Sequence, residues 1–312
     1  AAPVMLEDHV RIASITKTFT ATVVLQLVEE GRLSLDDKLE AFITGIPNGA
    51  EITLRQVLNM TAGIYNYVLD PLIAVDYAAD PLLPFTPQQA VDIVRAHDEA
   101  DFAPGAEVRY SDSNYVLLGL IVEQVTGQPV SAEITDRILV PLGLTGTSYP
   151  DTPDMPVPFL RGYAAAEPGD PLRDVTRSNP AVAAAAGAMI STVGDLKTWA
   201  EALATGALLS PELQAERLDF QRYPPIQTPI GEQQFGYGLG VFTFNGFIGH
   251  NGGILGYSLW MVYEPETGST IVVVTNRAAT EGGTADGLFI GIARLLFPDH
   301  FPAATPMATP AA

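Results

Sequence analysis

The chain has 312 residues, 47% of them hydrophobic, with 36 acidic against 16 basic residues and a formal net charge of -20. The apolar content supports a sizeable core and argues against a disordered chain, and the negative charge would repel a phosphate backbone, so we predict no nucleic-acid partner. Because the sequence has no cysteine, it can form no disulfide, thiolate nucleophile or sulfur-based zinc site.

The first predicted helix covers residues 14–30, a stretch that has no helix breaker, is apolar on most faces and stops at Gly31. Thr86 followed by Pro87 is typical of a helix start, and that helix runs to about His97. Further helices are predicted over residues 112–125, 132–139, 195–203 and 286–296, with a short one from Pro211.

Strands are predicted in the last third of the chain. Residues 238–244 have the pattern of extended chain, and residues 257–263 and 270–275 form two β-rich runs joined by a turn, which predicts an antiparallel meander. An Ala/Pro/Thr tail over residues 302–312 is predicted to be disordered.

These elements predict an α/β (α+β) fold, in which helices flank an antiparallel sheet beside a mainly helical subdomain. We expect one domain over residues 1–301, with the helical subdomain at about 53–180 and the sheet-containing part at 1–52 and 181–301. The cleft between the two parts is the expected site.

Ser14 and Lys17 are three residues apart at a helix start, so their side chains project from one face and can meet. The amine can accept the hydroxyl proton only when it is neutral, which requires that the site lower the pKa of Lys17. The plainer interpretation is a helix-capping serine beside a surface lysine, because one S-x-x-K motif is a weak signal.

Two further segments carry polar groups suited to a cleft. Tyr110 stands where a loop enters a predicted helix and either presents its phenol to the cleft or packs the helix start. In Gly249-His-Asn-Gly-Gly253, between two extended runs, the glycines allow a close backbone approach and leave amides free to donate, whereas a lone histidine there is more often structural.

Together and in this order, Ser14-Ile-Thr-Lys17, Tyr110-Ser-Asp112 and His250-Asn-Gly-Gly253 resemble the serine β-lactamase and D-alanyl-D-alanine carboxypeptidase superfamily, in its class C-like branch. Residues 11–20, 54–63 and 186–196 resemble that branch as well. The resemblance implies a β-lactamase/transpeptidase-like fold and a serine hydrolase that needs no metal and no cofactor.

The resemblance also implies a role for each site residue. Ser14 is expected to be the acylated nucleophile, Lys17 the group that activates it, and Tyr110 the general acid and base. The resemblance further implies that His250 positions a substrate carboxylate and supports the proton network, and that Gly252 opens the strand edge. It forms the oxyanion hole from the backbone N–H groups of Ser14 and Gly253.

Asp112 departs from the family pattern, in which asparagine is frequent at this position. A carboxylate can only accept hydrogen bonds, and it would hold Lys17 charged, against the role of Lys17 as a neutral base. The alternative is a proton network shared by Asp112, Lys17 and Tyr110, in which Tyr110 is the main base.

The resemblance also implies that N-terminal strands are missing, because only 13 residues precede Ser14 where relatives have a few dozen. We therefore expect a truncated chain with an uncovered sheet edge or apolar face. No segment reaches the roughly twenty apolar residues of a membrane span, and no export signal opens the sequence. Extracytoplasmic work on cell-wall peptides is an implication of the family likeness alone.

The leading expectation is a penicillin-binding D-alanyl-D-alanine carboxypeptidase acting on small-molecule or peptide substrates, among them β-lactams and esters. The alternatives are a β-lactamase-like carboxylesterase and a non-catalytic penicillin-binding or sensing protein. An α/β-hydrolase esterase is disfavoured because no G-x-S-x-G motif occurs. The four histidines are scattered without ligand spacing, which disfavours a metal site.

Overall fold

The computed structural model describes residues 3–165, 169–228, 231–277 and 285–301, so the predicted tail at 302–312 lies outside the described residues. The α-helices are α1 (Thr16–Glu29), α2 (Leu54–Leu58), α3 (Pro87–Ala96), α4 (Asp112–Thr126), α5 (Val130–Ile134), α6 (Val140–Leu142), α7 (Pro180–Gly187), α8 (Val193–Thr205), α9 (Pro211–Arg217) and α10 (Ala285–Leu296). Short 3-10 helices cover Ala13–Ile15, Leu39–Ala41, Tyr67–Leu69 and Pro298–His300, and π-helical turns cover Leu72–Tyr77 and Thr135–Leu139.

The strands are β1 (Val10–Arg11), β2 (Tyr163–Ala164), β3 (Arg173–Asp174), β4 (Ile190–Ser191), β5 (Gln221–Arg222), β6 (Ile226–Thr228), β7 (Gly231–Gln233), β8 (Phe235–Tyr237), β9 (Phe242–Phe244), β10 (Phe247–Ile254), β11 (Tyr257–Glu264) and β12 (Ser269–Thr275). Six of them form one antiparallel sheet in the order β12-β11-β10-β9-β8-β5. The remaining strands pair as β1 with β4, β2 with β3 and β6 with β7. The predicted α/β fold with an antiparallel sheet is confirmed.

Helix α1 lies at the centre of the molecule. It packs against α4 and α7, and Phe19 stacks on Trp199 of α8 with ring centroids 4.3 Å apart. A helix that is apolar on most faces is stable only when it is buried all round. The predicted burial is confirmed for residues 15–25 and 27, whereas Glu29 and Glu30 at the end of the helix are exposed. Lys17 therefore lies inside a packed helix, with Ser14 in the turn before it.

The sheet is covered on both faces. Seven of the eight residues of β11 are buried, and successive residues of a strand point to opposite faces, so neither face is left to solvent. Helices α8 and α10 both pack against β11 and β12, and Trp260 stacks on Phe289 of α10 at a centroid distance of 4.1 Å. Stacked aromatic pairs contribute about 0.5–1.5 kcal/mol beyond their buried area.

Most predicted helix ends agree with the structure. The Thr86 side chain caps α3 by accepting from Gln89 N, and Pro87 is the first helical residue. Helix α4 ends at Gly127, whose φ is 73°. Helix α8 begins at Val193, directly after the capping Thr192, rather than at Asp195. That predicted start was two residues late because Asp195 is the N3 residue of the cap, not the first residue.

Two other boundaries were wrong. Residues 238–244 are not continuous extended chain, because a turn at Gly238–Leu239–Gly240 joins β8 to β9, with Gly240 at a φ of 78°. A Cβ at Gly240 would lie 2.1 Å from Ala21 Cβ of α1, so glycine is required by close packing as well as by the turn. The helix predicted at 132–139 begins at Val130 and turns π-helical at Thr135.

Strand β12 is the last strand of the sheet and pairs only with β11 among the described residues. Just beyond β12, the backbone N–H of Tyr163 donates to the Asn276 carbonyl oxygen at 3.1 Å, and α8 and α10 cover the faces of the strand. None of the helices in the described part of the chain is long and apolar enough to cross a bilayer.

Candidate active site

Ser14 occupies a 3-10 turn, Ala13–Ile15, that leads directly into α1. The preceding residue, Ala13, has a φ of 48°, in the left-handed region that costs a non-glycine residue about 1–3 kcal/mol. Strand β10 packs against this turn. The turn thus presents the Ser14 side chain to two cavities, both of which it lines.

Lys17 lies directly beneath Ser14, as the three-residue spacing predicts. Its Nζ is 3.1 Å from Ser14 Oγ, 2.6 Å from Asp112 Oδ1 and 2.7 Å from the Ala186 carbonyl oxygen. Three acceptors match the three N–H bonds of an ammonium. Burial lowers the pKa of Lys17, and the charge and hydrogen bond of Asp112 oppose that shift. The three acceptors fit an ammonium on Lys17, whereas burial favours the neutral amine.

The third acceptor depends on a kink in α7. Ala184 has a φ of 43° and a ψ of -139°, which breaks the helix just before Ala186. The same segment offers the Ala185 carbonyl to Thr20 Oγ1 at 2.8 Å. A Cβ on Gly119 of α4 would lie 2.4 Å from Ala185 Cβ, so a glycine there allows this segment to approach α4 closely.

Tyr110 comes just before α4 and turns its ring towards Lys17, whose Nζ is 4.9 Å from the ring centroid. The Tyr110 hydroxyl is buried and makes no hydrogen bond. Burial raises the pKa of Tyr110 well above its ordinary value, the charge of Asp112 raises it further, and the nearby Ser14 hydroxyl opposes. In the free protein the side chain is therefore a neutral phenol, which can donate a proton. This favours Tyr110 as a general acid over the alternative in which Tyr110 is the main base.

Asp112 is the first residue of α4, and its side chain is 19% exposed. Its second oxygen, Oδ2, has a long 3.4 Å contact with Asn66 Nδ2, while Asn66 Oδ1 accepts from the Asp112 backbone N–H at 3.1 Å. The ion pair with Lys17 is the one predicted from the sequence, and it leaves Oδ2 largely available.

His250 is buried, in contrast to the predicted place against a substrate carboxylate. Its Nδ1 lies 2.5 Å from the Asn251 carbonyl oxygen and its Nε2 lies 2.9 Å from the Tyr237 hydroxyl. A carbonyl only accepts, so Nδ1 carries the proton and Nε2 accepts from Tyr237. With both ring nitrogens engaged and 1% of its surface exposed, His250 is not placed to contact substrate directly.

The histidine is also neutral. Burial, and then the charge of Lys17, lower the pKa of His250 to about 3. In the unfolded chain its pKa is near 6.5, so the stability contributed by neutral His250 is complete above about pH 6.5 and is lost as pH falls towards 3.

We expect this histidine to make the fold acid-sensitive. At about pH 5, protonation of His250 in the unfolded chain should lower the free energy of unfolding by about 2 kcal/mol relative to neutral pH. Urea unfolding of the wild type and of His250→Gln at the two pH values measures the effect, because the difference between the two proteins removes the contribution of every other group. An equal pH dependence in both proteins would contradict a buried neutral His250.

Gly252 and Gly253 have different surroundings. A Cβ on Gly252 would lie 2.5 Å from the Ile12 carbonyl oxygen, so glycine allows β10 to approach the chain that carries Ser14. A Cβ on Gly253 would have no heavy atom within 4 Å, and this residue lines both cavities beside Ser14. That position is compatible with the predicted oxyanion hole, which stays a prediction.

The first cavity, of about 640 Å³, has a mainly apolar wall. Tyr223 packs edge-on against Phe235 at a centroid distance of 5.2 Å, and the other residues that line it are Ser14, Tyr110, Pro224, Ile226, Asn251 and Gly253. The second cavity, of about 360 Å³, lies against α7 and shares Ser14, Tyr110 and Gly253 with the first. Ser14 therefore lies where two cavities meet.

The sequence reasoning missed Asn251, Tyr223, Phe235 and the partner of His250, Tyr237. Asn251 was predictable, because side chains alternate along a strand and residue 251 shares the face of Gly253. Tyr237 is 13 residues from His250 in a separate strand, and no local pattern signals that contact. In the described part of the chain there is no group of three or more His, Asp or Glu side chains that could hold a metal.

Comparison with known proteins gives a consistent picture. The family model described as Beta-lactamase matches residues 2–294. A crystal structure of a D-stereospecific amidohydrolase from Streptomyces sp. has a TM-score of 0.80 and 37% identity, covering 87% of this chain and 83% of that one. The D-amino acid amidase from Ochrobactrum anthropi SV3, in complex with L-phenylalanine amide, has a TM-score of 0.79 and 26% identity, covering 94% and 84%.

Curated relatives are longer than this chain. Protein flp of Staphylococcus aureus (strain N315) is 31% identical over 283 residues, which cover 85% of this chain and 52% of the relative. A putative D-alanyl-D-alanine carboxypeptidase of Escherichia coli (strain K12) is 30% identical over 158 residues, covering 49% of this chain and 35% of the relative. The chain spans about half, or less, of the length of these curated relatives.

Proposed function

We propose, because the chain belongs to the beta-lactamase family of serine hydrolases, that Ser14 is its acylated nucleophile and that its substrates are amides of D-amino acids with an apolar side chain. The relatives named for D-stereospecific amide hydrolysis support the choice of D-amides. The observation that carries the proposal is the apolar cavity lined by Ser14, whose Oγ is 3.1 Å from Lys17 Nζ.

The lining of the two cavities favours a substrate without a terminal carboxylate. Neither cavity is lined by a lysine or arginine in the described part of the chain. Lys17 is fully buried and paired with Asp112, and His250 is buried and neutral. A carboxylate placed here would meet no free cation and would lose its hydration without compensation. An amide group in place of the carboxylate avoids that cost.

The proposed acylation uses two protein groups. Neutral Lys17 takes the proton of the Ser14 hydroxyl, and Oγ attacks the amide carbon to form the tetrahedral intermediate. The backbone N–H groups of Ser14 and Gly253 would stabilise the oxyanion. The phenol of Tyr110 then gives its proton to the leaving nitrogen as the C–N bond breaks, and the amine leaves.

Deacylation reverses the proton path. Water attacks the ester on Ser14, and its proton passes to the Tyr110 oxygen, which restores the phenol. The C–O bond to Oγ then breaks, and Lys17 returns its proton to Oγ, which regenerates the Ser14 hydroxyl and releases the acid. The apolar wall formed by Tyr223 and Phe235 would hold the side chain of the acyl part throughout.

A D-alanyl-D-alanine carboxypeptidase is the second candidate, favoured by the Escherichia coli relative. It belongs with an extracytoplasmic location, where cell-wall peptides occur. This candidate requires a group that binds the terminal carboxylate, the role predicted for His250. The burial of that histidine is the reason we rank it second.

A substrate panel tests the proposal. Initial rates are measured on D-phenylalanine amide, L-phenylalanine amide, a peptide ending in D-alanyl-D-alanine, a penicillin and p-nitrophenyl acetate. We expect the D-amide to be hydrolysed with the highest kcat/KM and the L-amide at least about ten-fold more slowly, a discrimination of about 1.4 kcal/mol. Faster release of D-alanine from the peptide would favour the carboxypeptidase, and hydrolysis of the ester alone would favour a carboxylesterase. A penicillin adduct without turnover of any substrate would indicate a sensing protein.

A further inference from the structure

The second cavity beside Ser14 contains a single charged side chain. The cavity has a volume of about 360 Å³, and among the described residues Asp112 is the one Asp, Glu, Lys, Arg or His side chain that lines it. The other lining residues are aliphatic or small residues, three tyrosines and Ser14. Lys17, which balances the charge of Asp112, is 0% exposed and lies behind it. A ligand in this cavity therefore meets a carboxylate rather than an ion pair.

Resting on the proposed function, we infer that Asp112 binds the free α-ammonium group of the substrate, so that the acyl donor is an amino acid with an unmodified amine rather than an N-acylated one. The carbonyl carbon would lie at Ser14, where the cavities meet, with the apolar side chain in the larger cavity and the ammonium in the smaller one.

One carboxylate oxygen of Asp112 can accept a further hydrogen bond, which fits this role. Oδ1 is bonded to Lys17 at 2.6 Å, whereas Oδ2 has only the 3.4 Å contact with Asn66. An ammonium donates to a carboxylate in a charge-assisted bond. Acylation removes the positive charge of the amine and leaves one neutral N–H, whose hydrogen bond to a carboxylate is weaker than that of an ammonium. Oδ2 therefore favours the free amine over the acylated one.

Binding there would also act on Lys17. In the free protein the Asp112 carboxylate helps Lys17 keep its proton. The other titratable groups that face Lys17 are Tyr110 and Tyr115, whose rings lie 4.9 and 5.7 Å from Nζ, and neutral His250. A second cation on Asp112 shares its charge and repels the ammonium of Lys17, which favours proton loss from Nζ. A free-amine substrate would thereby help to generate the neutral base, so its advantage should appear in kcat as well as in KM.

The hydrolytic test compares D-phenylalanine amide with N-acetyl-D-phenylalanine amide. We expect the wild type to favour the free amine by at least about ten-fold in kcat/KM, and Asp112→Asn to reduce that ratio by at least about ten-fold, a loss typical of one charge-assisted contact. Asp36→Asn is the matched control, because Asp36 is exposed beyond the C-terminal end of α1 and lines neither cavity. Equal losses on both substrates in Asp112→Asn would overturn the inference and leave Asp112 as a positioning residue for Lys17.

A binding test separates this inference from the proposed function. In Ser14→Ala, calorimetry measures the affinities for the same two amides without hydrolysis. Tighter binding of the free amine, abolished by adding Asp112→Asn, would support the ammonium site even if the wild type hydrolyses neither amide. Equal affinities for the two amides in Ser14→Ala would overturn it even if the wild type is an amidase.

Discussion

Replacement of Ser14 by alanine should abolish hydrolysis and covalent labelling while the fold stays intact. The hydroxyl is the group that lies within reach of Lys17 Nζ and faces both cavities. Loss of the nucleophile should lower kcat by at least about 10⁴-fold, the scale seen when a serine hydrolase loses its serine. Stability should change little, because Ser14 is only half-buried and its hydroxyl accepts one hydrogen bond, from Lys17. Lys17 keeps its two other acceptors, Asp112 and the Ala186 carbonyl oxygen.

Intact-mass spectrometry after incubation with a fluorescent penicillin provides the measurement, with thermal unfolding as the check on folding. Ser131→Ala removes a hydroxyl from α5, outside both cavities, and should keep the adduct of the wild type. An adduct of equal yield in Ser14→Ala would show that another residue is acylated. An adduct that forms and clears in the wild type would show turnover of the penicillin itself.

The sequence predicted the contact between Ser14 and Lys17 because the two residues are close in sequence. Ser14 and Lys17 are three residues apart, and the 3-10 turn Ala13–Ile15 runs directly into α1, so local backbone geometry brings Oγ and Nζ together. Burial of α1 was also predictable from the sequence, because a helix with apolar residues on most faces is stable only when it is buried. Tyr110 and Asp112 join the pair from about 95 residues away in sequence, and their place came from the resemblance rather than from any pattern in the chain.

The orientation of His250 was not predictable in the same way. Its position in β10 was expected to be open to substrate, but the aromatic rings of Phe242 and Tyr237 enclose it from β9 and β8. Which face of a strand is buried depends on the strands and helices beside it, and the sequence predicts only some of these elements. A turn at Gly238–Leu239–Gly240 replaces the predicted extended chain, and this turn brings Tyr237 to His250.

The apolar cavity escaped prediction for a related reason. Tyr223, Pro224, Ile226 and Phe235 belong to β5, β6, β8 and the segments between them, and they show no catalytic motif. Only the fold places this aromatic and aliphatic wall opposite Ser14. Under the proposed function, the choice of acyl group would depend on tertiary structure, whereas the residues of the acyl transfer lie in short motifs.

Replacement of Lys17 by methionine should lower kcat/KM by about 10²- to 10⁴-fold, the usual contribution of a general base. Methionine keeps an unbranched apolar stem in a fully buried position but cannot accept the Ser14 proton. The substitution also leaves Asp112 Oδ1 and the Ala186 carbonyl oxygen without their donor, which should cost about 1–3 kcal/mol of stability for each group that water does not reach.

The double variant Lys17→Met with Asp112→Asn separates the two effects. Removing the unpaired carboxylate should recover part of the lost stability, measured by urea unfolding, because a neutral amide is less costly to leave beside an apolar side chain than a charge. Activity should not recover, because no base has been restored. Lys197→Met, at an exposed position of α8, should behave as the wild type in both assays.

If Lys17→Met alone kept kcat/KM within about ten-fold of the wild type, the proton of Ser14 would have to leave by another route. Tyr110, whose buried hydroxyl has no hydrogen-bond partner, would then be the group to substitute next.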